Sequence, residues 1–366
     1  MTERAPFRAD QVGSLLRPAR LKAARTDFEN GKTGAETLKS IEDQCVREVV
    51  ARQESAGLQA VTDGEFRRAW WHFDYLAGLD GVELVESEHG IQFHGVQTKS
   101  KTITVSGRVD FDQHYMLGHF RFLHSVAGVT PKMTIPAPSV LHFRGGRASI
   151  SKDVYPGLDE FFADTAEAYR KAVHAFYAAG CRYLQFDDTV WAYLCSAKER
   201  QAARDRGDDP EPLPRIYADM INHALKDKPA DMVVTTHVCR GNFRSSWIAE
   251  GGYEPVAETL LGGTAYDGYF LEYDTERAGG FEPLRFLPKG DKRVVLGLVT
   301  SKSGELEDRD AIKRRIDEAA RFADPDQFCL SPQCGFASTE EGNILSEDQQ
   351  WKKLEMIVGL TRAMWG

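Results

Sequence analysis

The chain has 366 residues, 55 acidic and 46 basic side chains, a formal net charge of −9 and 42 % hydrophobic residues. This composition is typical of a globular protein, and the acidic balance argues against binding to nucleic acid or to an anionic membrane surface. No apolar run approaches the roughly 18 residues of a membrane span, and charges near the N-terminus argue against a signal peptide. Six cysteines are too few for a disulfide framework, so we expect a cytoplasmic protein.

Short apolar runs alternate with amphipathic helical patterns along the chain, an order typical of α/β proteins. A capping-box pattern predicts a helix start at Thr33, three residues before Glu36. Apolar residues three and four apart predict a helix within residues 307–322, and a second capping box, Ser346 with Gln349, predicts the start of the last helix. The apolar runs predict eight strands, at Val12–Leu16, Ala60–Thr62, Met133–Ile135, Tyr183–Phe186, Met232–Thr236, Tyr269–Tyr273, Val294–Val299 and Phe328–Leu330.

Eight strand–helix units predict an α/β fold in which residues 1–366 form one (β/α)8 TIM barrel and one catalytic domain. A doubly wound sheet is disfavoured because no Gly-rich dinucleotide motif follows the first strand. Residues 82–111 break the alternation, since Thr102–Ser106 alternate with a period of two residues. This pattern predicts a β-hairpin insertion after the second strand. Such insertions are typical of a site mouth or an oligomer contact, so a homo-oligomer stays open.

Candidate metal ligands lie at the carboxyl ends of three predicted strands, where the active sites of such barrels form. His237 and Cys239 follow the fifth strand, Glu272 lies at the end of the sixth and Cys334 follows the eighth. Because residues i and i+2 of a strand point to the same side, His237 and Cys239 can face one ion. One imidazole, two thiolates and one carboxylate form a ligand set that suits zinc. From the spacing alone, a metal site and ordinary core packing are equally open.

The formal charge of this ligand set indicates the chemistry that zinc would supply. Two thiolates and one carboxylate contribute −3 against the +2 of the ion, which leaves −1. A zinc ion with so many anionic ligands is a weak Lewis acid and is poorly suited to converting a bound water into hydroxide. It is better suited to holding a substrate thiol as a nucleophilic thiolate, with Glu272 or a water giving up its position.

At these residues the sequence resembles the cobalamin-independent methionine synthase family, specifically its zinc-bearing C-terminal barrel. The matching motifs run in order through nearly the whole chain: Gln11–Ser14, Asp63–Glu65, Phe186–Asp188, Thr236–Cys239, Leu271–Glu272 and Ser331–Gly335. The resemblance implies a zinc-bound thiolate that attacks an alkyl donor. The zinc ligands that it implies are His237, Cys239, Glu272 and Cys334. The residues that it implies around the amino and carboxyl ends of homocysteine are Ser14, Glu65 and Asp187.

The sequence departs from the family pattern mainly in the half that binds the alkyl donor. Full-length members carry an N-terminal barrel that helps to bind a polyglutamyl folate, and this sequence has no match to it. The tryptophan that flanks the folate has no match near His142–Arg144, and the family's Asp-Glu-Pro is here Asp187–Asp188–Thr189. Lys302 stands where the family has a proton-relaying histidine, and we assign it a catalytic role.

We therefore predict a zinc-dependent thiol alkyltransferase that transfers a methyl group to homocysteine or a similar small thiol, as in methionine biosynthesis. Its partners are then a small-molecule thiol and an alkyl donor, whose identity as folate, corrinoid or epoxide the sequence leaves open. One alternative is thiol alkylation like that of an epoxyalkane:coenzyme M transferase. Others are a metal-free enzyme of the porphyrin decarboxylase type and a zinc- or thiol-binding protein without turnover.

Overall fold

The computed structural model describes residues 4–86 and 101–366, together with the backbone of residues 92–93 and 96–97. The strands are β1 (Ala60–Val61), β2 (Asp80–Glu86), β3 (Gln92–Phe93), β4 (Val96–Gln97), β5 (Lys101–Asp110), β6 (Thr130–Pro136), β7 (Tyr183–Asp188), β8 (Val233–Val238), β9 (Gly268–Glu272), β10 (Arg293–Val299) and β11 (Phe328–Pro332). The helices are α1 (Ala19–Glu29), α2 (Ala35–Ser55), α3 (Phe73–Leu76), α4 (Met116–Val126), α5 (Pro138–Phe143), α6 (Leu158–Ala178), α7 (Val190–Cys195), α8 (Ala197–Asp205), α9 (Leu213–Ala224), α10 (Glu254–Ala257), α11 (Arg309–Ala319) and α12 (Glu347–Trp365).

A seven-stranded parallel sheet in the order β1-β6-β7-β8-β9-β10-β11 forms the centre of the molecule. Strands that follow one another in this sheet are joined through helices, as parallel pairing requires. The sheet curls into a half-barrel, which agrees with the predicted α/β class and is consistent with a TIM-like barrel. Of the helices described, none has the length and apolar character that crossing a membrane demands.

The alternation of side chains along the strands places polar groups at one end of the half-barrel. Tyr183, Val233 and Phe270 belong to a small apolar cluster that is separate from the larger core beneath the helices. Because side chains two and four residues apart share a face, Asp187, His237 and Glu272 follow them on the same side at the carboxyl ends of β7, β8 and β9. The sheet register then sets Asp187 directly beside His237.

The predicted strand at Val12–Leu16 is wrong, because this segment pairs through only isolated contacts. Its upstream neighbour Ala9 forms a parallel bridge with Leu330 of β11, and the Leu15 N–H donates to the Gly64 carbonyl at 3.1 Å. Gly13 has a φ of 155°, and a Cβ there would lie 2.7 Å from the Thr134 side chain. The chain therefore passes close to its neighbours without forming a ladder of backbone hydrogen bonds. The Gly13 carbonyl instead accepts a hydrogen bond from the Thr62 hydroxyl.

The two predicted capping boxes have opposite outcomes. Ser346 caps α12, and Gln349 completes the reciprocal pair, as the sequence predicts. The box at Thr33 is wrong, because α2 begins one residue later, with Gly34 as the N-cap and no side-chain cap. The Thr33 hydroxyl has no hydrogen-bond partner in the described residues and so caps no N–H group of the helix.

Strands β2 and β5 pair antiparallel, with Val82 opposite Val105 and Glu86 opposite Lys101. Between them, the backbone of β3 pairs with that of β4. Apart from these short backbone pieces, residues 87–100 of the predicted hairpin insertion lie outside the described part of the chain. The insertion at residues 82–111 therefore stays a prediction.

Candidate metal centre

Four buried side chains converge at the carboxyl ends of β8, β9 and β11: His237, Cys239, Glu272 and Cys334. One ligand atom from each lies within 4.8 Å of the corresponding atoms of the other three. The two sulfur atoms are 3.5 Å apart. Residues that are distant in sequence meet here because the parallel strands end together at one edge of the sheet.

The hydrogen bonding of the cluster leaves its ligand atoms available. Neither ring nitrogen of His237 has a hydrogen-bond partner among residues 4–86 and 101–366, and the same is true of Glu272 Oε2. The other oxygen, Glu272 Oε1, accepts the Arg240 N–H at 2.9 Å. A buried polar atom left without a partner costs about 1–3 kcal/mol. These unpartnered atoms, with two thiols beside them, fit a soft or borderline divalent cation such as zinc.

The pKa values of the two cysteine thiols are shifted in opposite directions. The bond with Cys239, together with nearby His237, holds the pKa of Cys334 well below its usual range. The same bond and burial raise the pKa of Cys239 well above the usual value. The thiolate is the form in which cysteine binds a metal.

A cavity joins the metal ligands to the predicted substrate residues. It is lined by Ser14, Glu65 and Asp187 as well as by His237, Cys239 and Cys334. Ser14 Oγ accepts the Ala337 N–H at 3.3 Å, and the Asp187 carboxylate accepts a hydrogen bond from Gln185 at 2.7 Å. Burial raises the pKa of Asp187 to about 7. The structure thus brings these six predicted residues to one place, with Glu272 in the ligand cluster.

Glu65 is held in a conformation that most side chains avoid. Its φ is 60°, and its N–H donates to Asp63 Oδ1 at 2.9 Å. Glu65 Oε1 accepts from the Thr134 hydroxyl at 2.8 Å, whereas Oε2 is buried without a hydrogen-bond partner in the described structure. A non-glycine residue in this region costs on the order of 1–3 kcal/mol and persists only where its surroundings impose it. The residues around Glu65 therefore impose this backbone conformation on it.

Three arginines lie around Glu65, and they make different contacts. Arg17 donates to the Glu65 backbone carbonyl at 3.0 Å, and Arg67 pairs with Glu42 and Asp43 on the other side. Arg68 lies nearest to the carboxylate, 3.7 Å from Oε1. The second oxygen of the Glu65 carboxylate, Oε2, makes no hydrogen bond to any described residue.

Lys302 follows β10, and its ammonium is buried beside the ligand cluster. Lys302 Nζ has no hydrogen-bond partner within the described ranges. Its charge offsets part of the rise that burial causes in the pKa of Glu272 and contributes to the low pKa of Cys334. Lys302 is absent from the lining of the cavity that holds Ser14 and Glu65. Lys302 is thus near enough to the metal ligands to act on them electrostatically, while its predicted catalytic role remains a prediction.

A second cavity of about 530 Å³ adjoins the first, and the sequence analysis missed it. Arg144 lines both cavities, and His72 lines the second with both ring nitrogens buried and unpartnered in the described residues. Aromatic side chains form much of its wall, among them Phe73, Phe143 and Tyr193. These residues come from separate loops and short helices with no common spacing. Only the unmatched segment at His142–Arg144 marked this region in the sequence.

Comparison with known proteins gives the family. Residues 7–349 match the family model described as the catalytic domain of cobalamin-independent synthase. The chain belongs to this family. A crystal structure of a Listeria monocytogenes protein assigned as a vitamin-B12-independent methionine synthase is 44 % identical, with a TM-score of 0.81 and 100 % of both chains covered.

Sequence relatives match nearly the whole length of this chain. The uncharacterized protein YxjH of Bacillus subtilis (strain 168) is 54 % identical over 363 residues, which cover 99 % of this chain and 96 % of that protein. A methionine synthase of Saccharolobus solfataricus is 22 % identical over 363 residues, which cover 96 % of this chain and 93 % of that protein. The family resemblance predicted from the sequence motifs is therefore confirmed. The family consists of enzymes, and its more distant members include named methionine synthases.

Proposed function

We propose that this protein is a zinc-dependent thiol alkyltransferase that methylates homocysteine or a similar small thiol. The observation that carries the proposal is the quartet His237, Cys239, Glu272 and Cys334. Its His237 and both cysteines line the same cavity as the predicted acceptor residues. Zinc bound by these ligands would hold the acceptor sulfur as a thiolate that stays nucleophilic. The family membership of the chain supports the same chemistry.

In this proposal, the carboxylates of Glu65 and Asp187 bind the ammonium group of the acceptor. Two buried carboxylates near one cavity are costly unless a cation lies between them. Glu65 Oε2, buried and without a hydrogen-bond partner in the described chain, is the atom best placed to accept from that ammonium. Ser14, on the same cavity wall, supplies a hydroxyl for the carboxylate end. These contacts would orient the sulfur toward His237 and the two cysteines.

The alkyl donor approaches from the second cavity in this proposal. Arg144 stands where the two cavities meet, so a donor there would present its alkyl group toward the acceptor sulfur. The aromatic wall favours a donor with an apolar or planar part, and the guanidinium favours an acidic group. A donor held in this way excludes water from the path between the two reactants.

The test couples metal content to turnover. The zinc-loaded protein is incubated with homocysteine and, in turn, with monoglutamyl methyl-folate, polyglutamyl methyl-folate, methyl-corrinoid or a small epoxide, and the thiol products are measured by mass spectrometry. We expect methionine from at least one methyl donor, and its loss together with zinc in Cys334→Ser. Cys329→Ser is the matched control, because Cys329 is a buried cysteine of β11 outside the metal cluster.

A zinc-loaded protein that alkylates homocysteine with none of these donors would contradict the proposed methyl transfer. Alkylation only by the epoxide would instead favour an epoxide-opening thiol transferase. Full activity of Cys334→Ser would contradict the role of the metal centre.

A further inference from the structure

The buried ammonium group of Lys302 has no hydrogen-bond partner among the described residues. Lys302 Nζ is inaccessible to solvent and makes no hydrogen bond to any described residue. Burying an unpaired ammonium is expensive, so such a charge is normally matched by a nearby anion. Asp274, the next carboxylate after Glu272, pairs with Arg277 through Oδ1 at 3.5 Å, and its Oδ2 is buried without a hydrogen-bond partner in the described residues. The Lys302 charge acts electrostatically on Glu272, Cys239 and Cys334, which are three of the four candidate metal ligands.

Glu272 is the ligand whose second oxygen is uncommitted. Its Oε1 accepts the Arg240 N–H, which anchors one edge of the carboxylate, while Oε2 is buried without a hydrogen-bond partner in the described residues. Tyr253 accepts the Glu272 N–H at 3.0 Å and so fixes the backbone at the end of β9. The backbone and Oε1 of Glu272 are thus held in place. Its Oε2 is left to interact either with a metal ion or with the Lys302 ammonium.

The inference rests on the proposed function and deepens it. We infer that Lys302 receives the Glu272 carboxylate when the acceptor thiol takes the place of Glu272 in the metal site. A metal held by His237, Cys239 and Cys334 would bind the acceptor sulfur as a thiolate in place of the Glu272 carboxylate, and the thiol proton would pass to solvent. The ligand charge stays at −3, because one thiolate replaces one carboxylate. Lys302 neutralises the carboxylate that is released into the protein interior.

A lysine is suited to this positioning role for an electrostatic reason. Releasing a buried carboxylate without a countercharge leaves an uncompensated charge in a medium of low dielectric constant. A lysine carries its charge at neutral pH and needs no proton uptake before the exchange. Lys302 acts in this account through Glu272, with no contact to the reacting atoms.

The experiment measures homocysteine binding to zinc-loaded wild type, Lys302→Met and Lys302→Arg. Calorimetry gives the affinity, and zinc X-ray absorption counts sulfur against nitrogen and oxygen ligands. We expect the wild-type zinc to gain one sulfur and lose one oxygen ligand when homocysteine binds. Lys302→Met should keep its zinc but bind homocysteine roughly 10- to 100-fold more weakly, the range for one lost charge pair. Lys302→Arg should restore most of the affinity.

A double-mutant cycle separates this role from a merely structural one. In Glu272→Gln, the side chain that leaves the metal is neutral and needs no cation, so adding Lys302→Met should change homocysteine affinity by less than about threefold. An equal loss in both backgrounds, or full affinity in Lys302→Met alone, would overturn the inference and leave the proposed function standing. If the wild-type zinc gained no sulfur from homocysteine, both would fall.

Discussion

Replacing Glu65 by Gln tests the acceptor site most directly. The substitution preserves the size of the side chain and an oxygen that can accept from the Thr134 hydroxyl, so it removes mainly the negative charge. Glu65 is 3 % exposed, and the described structure offers no hydrogen-bond partner to its Oε2. The substitution therefore removes the charge from a buried oxygen that has no described protein partner to lose.

The expected loss follows from one charge-assisted hydrogen bond in a buried site. Such a bond contributes roughly 1.4–3 kcal/mol, which corresponds to about 10- to 100-fold in affinity. The fold should tolerate the change, since burial already raises the pKa of Glu65 and disfavours its charged form. Arg68 keeps Asp63 and Asp187 as nearby anions.

The assay compares homocysteine with 4-mercaptobutanoate, which has the same chain and carboxylate but no amine. Calorimetry on zinc-loaded Glu65→Gln should show the loss for homocysteine and nearly unchanged affinity for the amine-free thiol. Thr134→Val serves as the matched variant, because it removes the hydrogen bond to Glu65 but keeps the charge, and it should cost less. Equal losses for both thiols in Glu65→Gln would refute the assignment of Glu65 to the amine.

Four further outcomes are expected. Cys239→Ser and Cys334→Ser should each lose most of the roughly one zinc per chain while staying folded, and zinc retained in both by metal analysis would contradict the ligand assignment. Homocysteine binding should release a proton, so its calorimetric enthalpy should vary with the ionisation enthalpy of the buffer; a constant value counts against thiolate binding. Burial raises the pKa of Asp188 to about 6, above its ordinary 3.8, so the free energy of unfolding should fall as pH rises from 4 to 7. Urea unfolding should show a flatter dependence in Asp188→Asn, and an unchanged slope would exclude Asp188 as its source. Polyglutamyl methyl-folate should be a poorer donor than monoglutamyl folate, a methyl-corrinoid or a small electrophile, an order that competition between donors would reveal.

Local sequence patterns were sufficient for most of the framework. The apolar runs predicted the seven strands of the parallel sheet, although β7 and β8 extend two residues beyond the predicted ends. The metal quartet was also predictable, because the period of two and the common edge of parallel strands bring His237 and Cys239 near Glu272 and Cys334. These features depend on the spacing of residue types along single strands.

The failures at Val12–Leu16 and Thr33 have a common cause. An apolar run and a capping pattern each describe a segment in isolation, whereas backbone pairing and the first turn of a helix depend on what lies alongside. At Gly13 the approach of Thr134 and Glu65 decides the backbone path. At Thr33 a helix start displaced by one residue removes the cap.

Residue types and their spacing were enough to predict the α/β class, the family and the candidate metal ligands. Only the tertiary structure decided the strained conformation of Glu65, the burial of Lys302 against the metal ligands, and the cavity that His72 and Arg144 share. Each of these depends on loops from different strands meeting at one end of the sheet. Periodicity reports which face a residue occupies within its own element. The neighbours that complete a site, and the water they exclude, are set by packing between elements far apart in the chain.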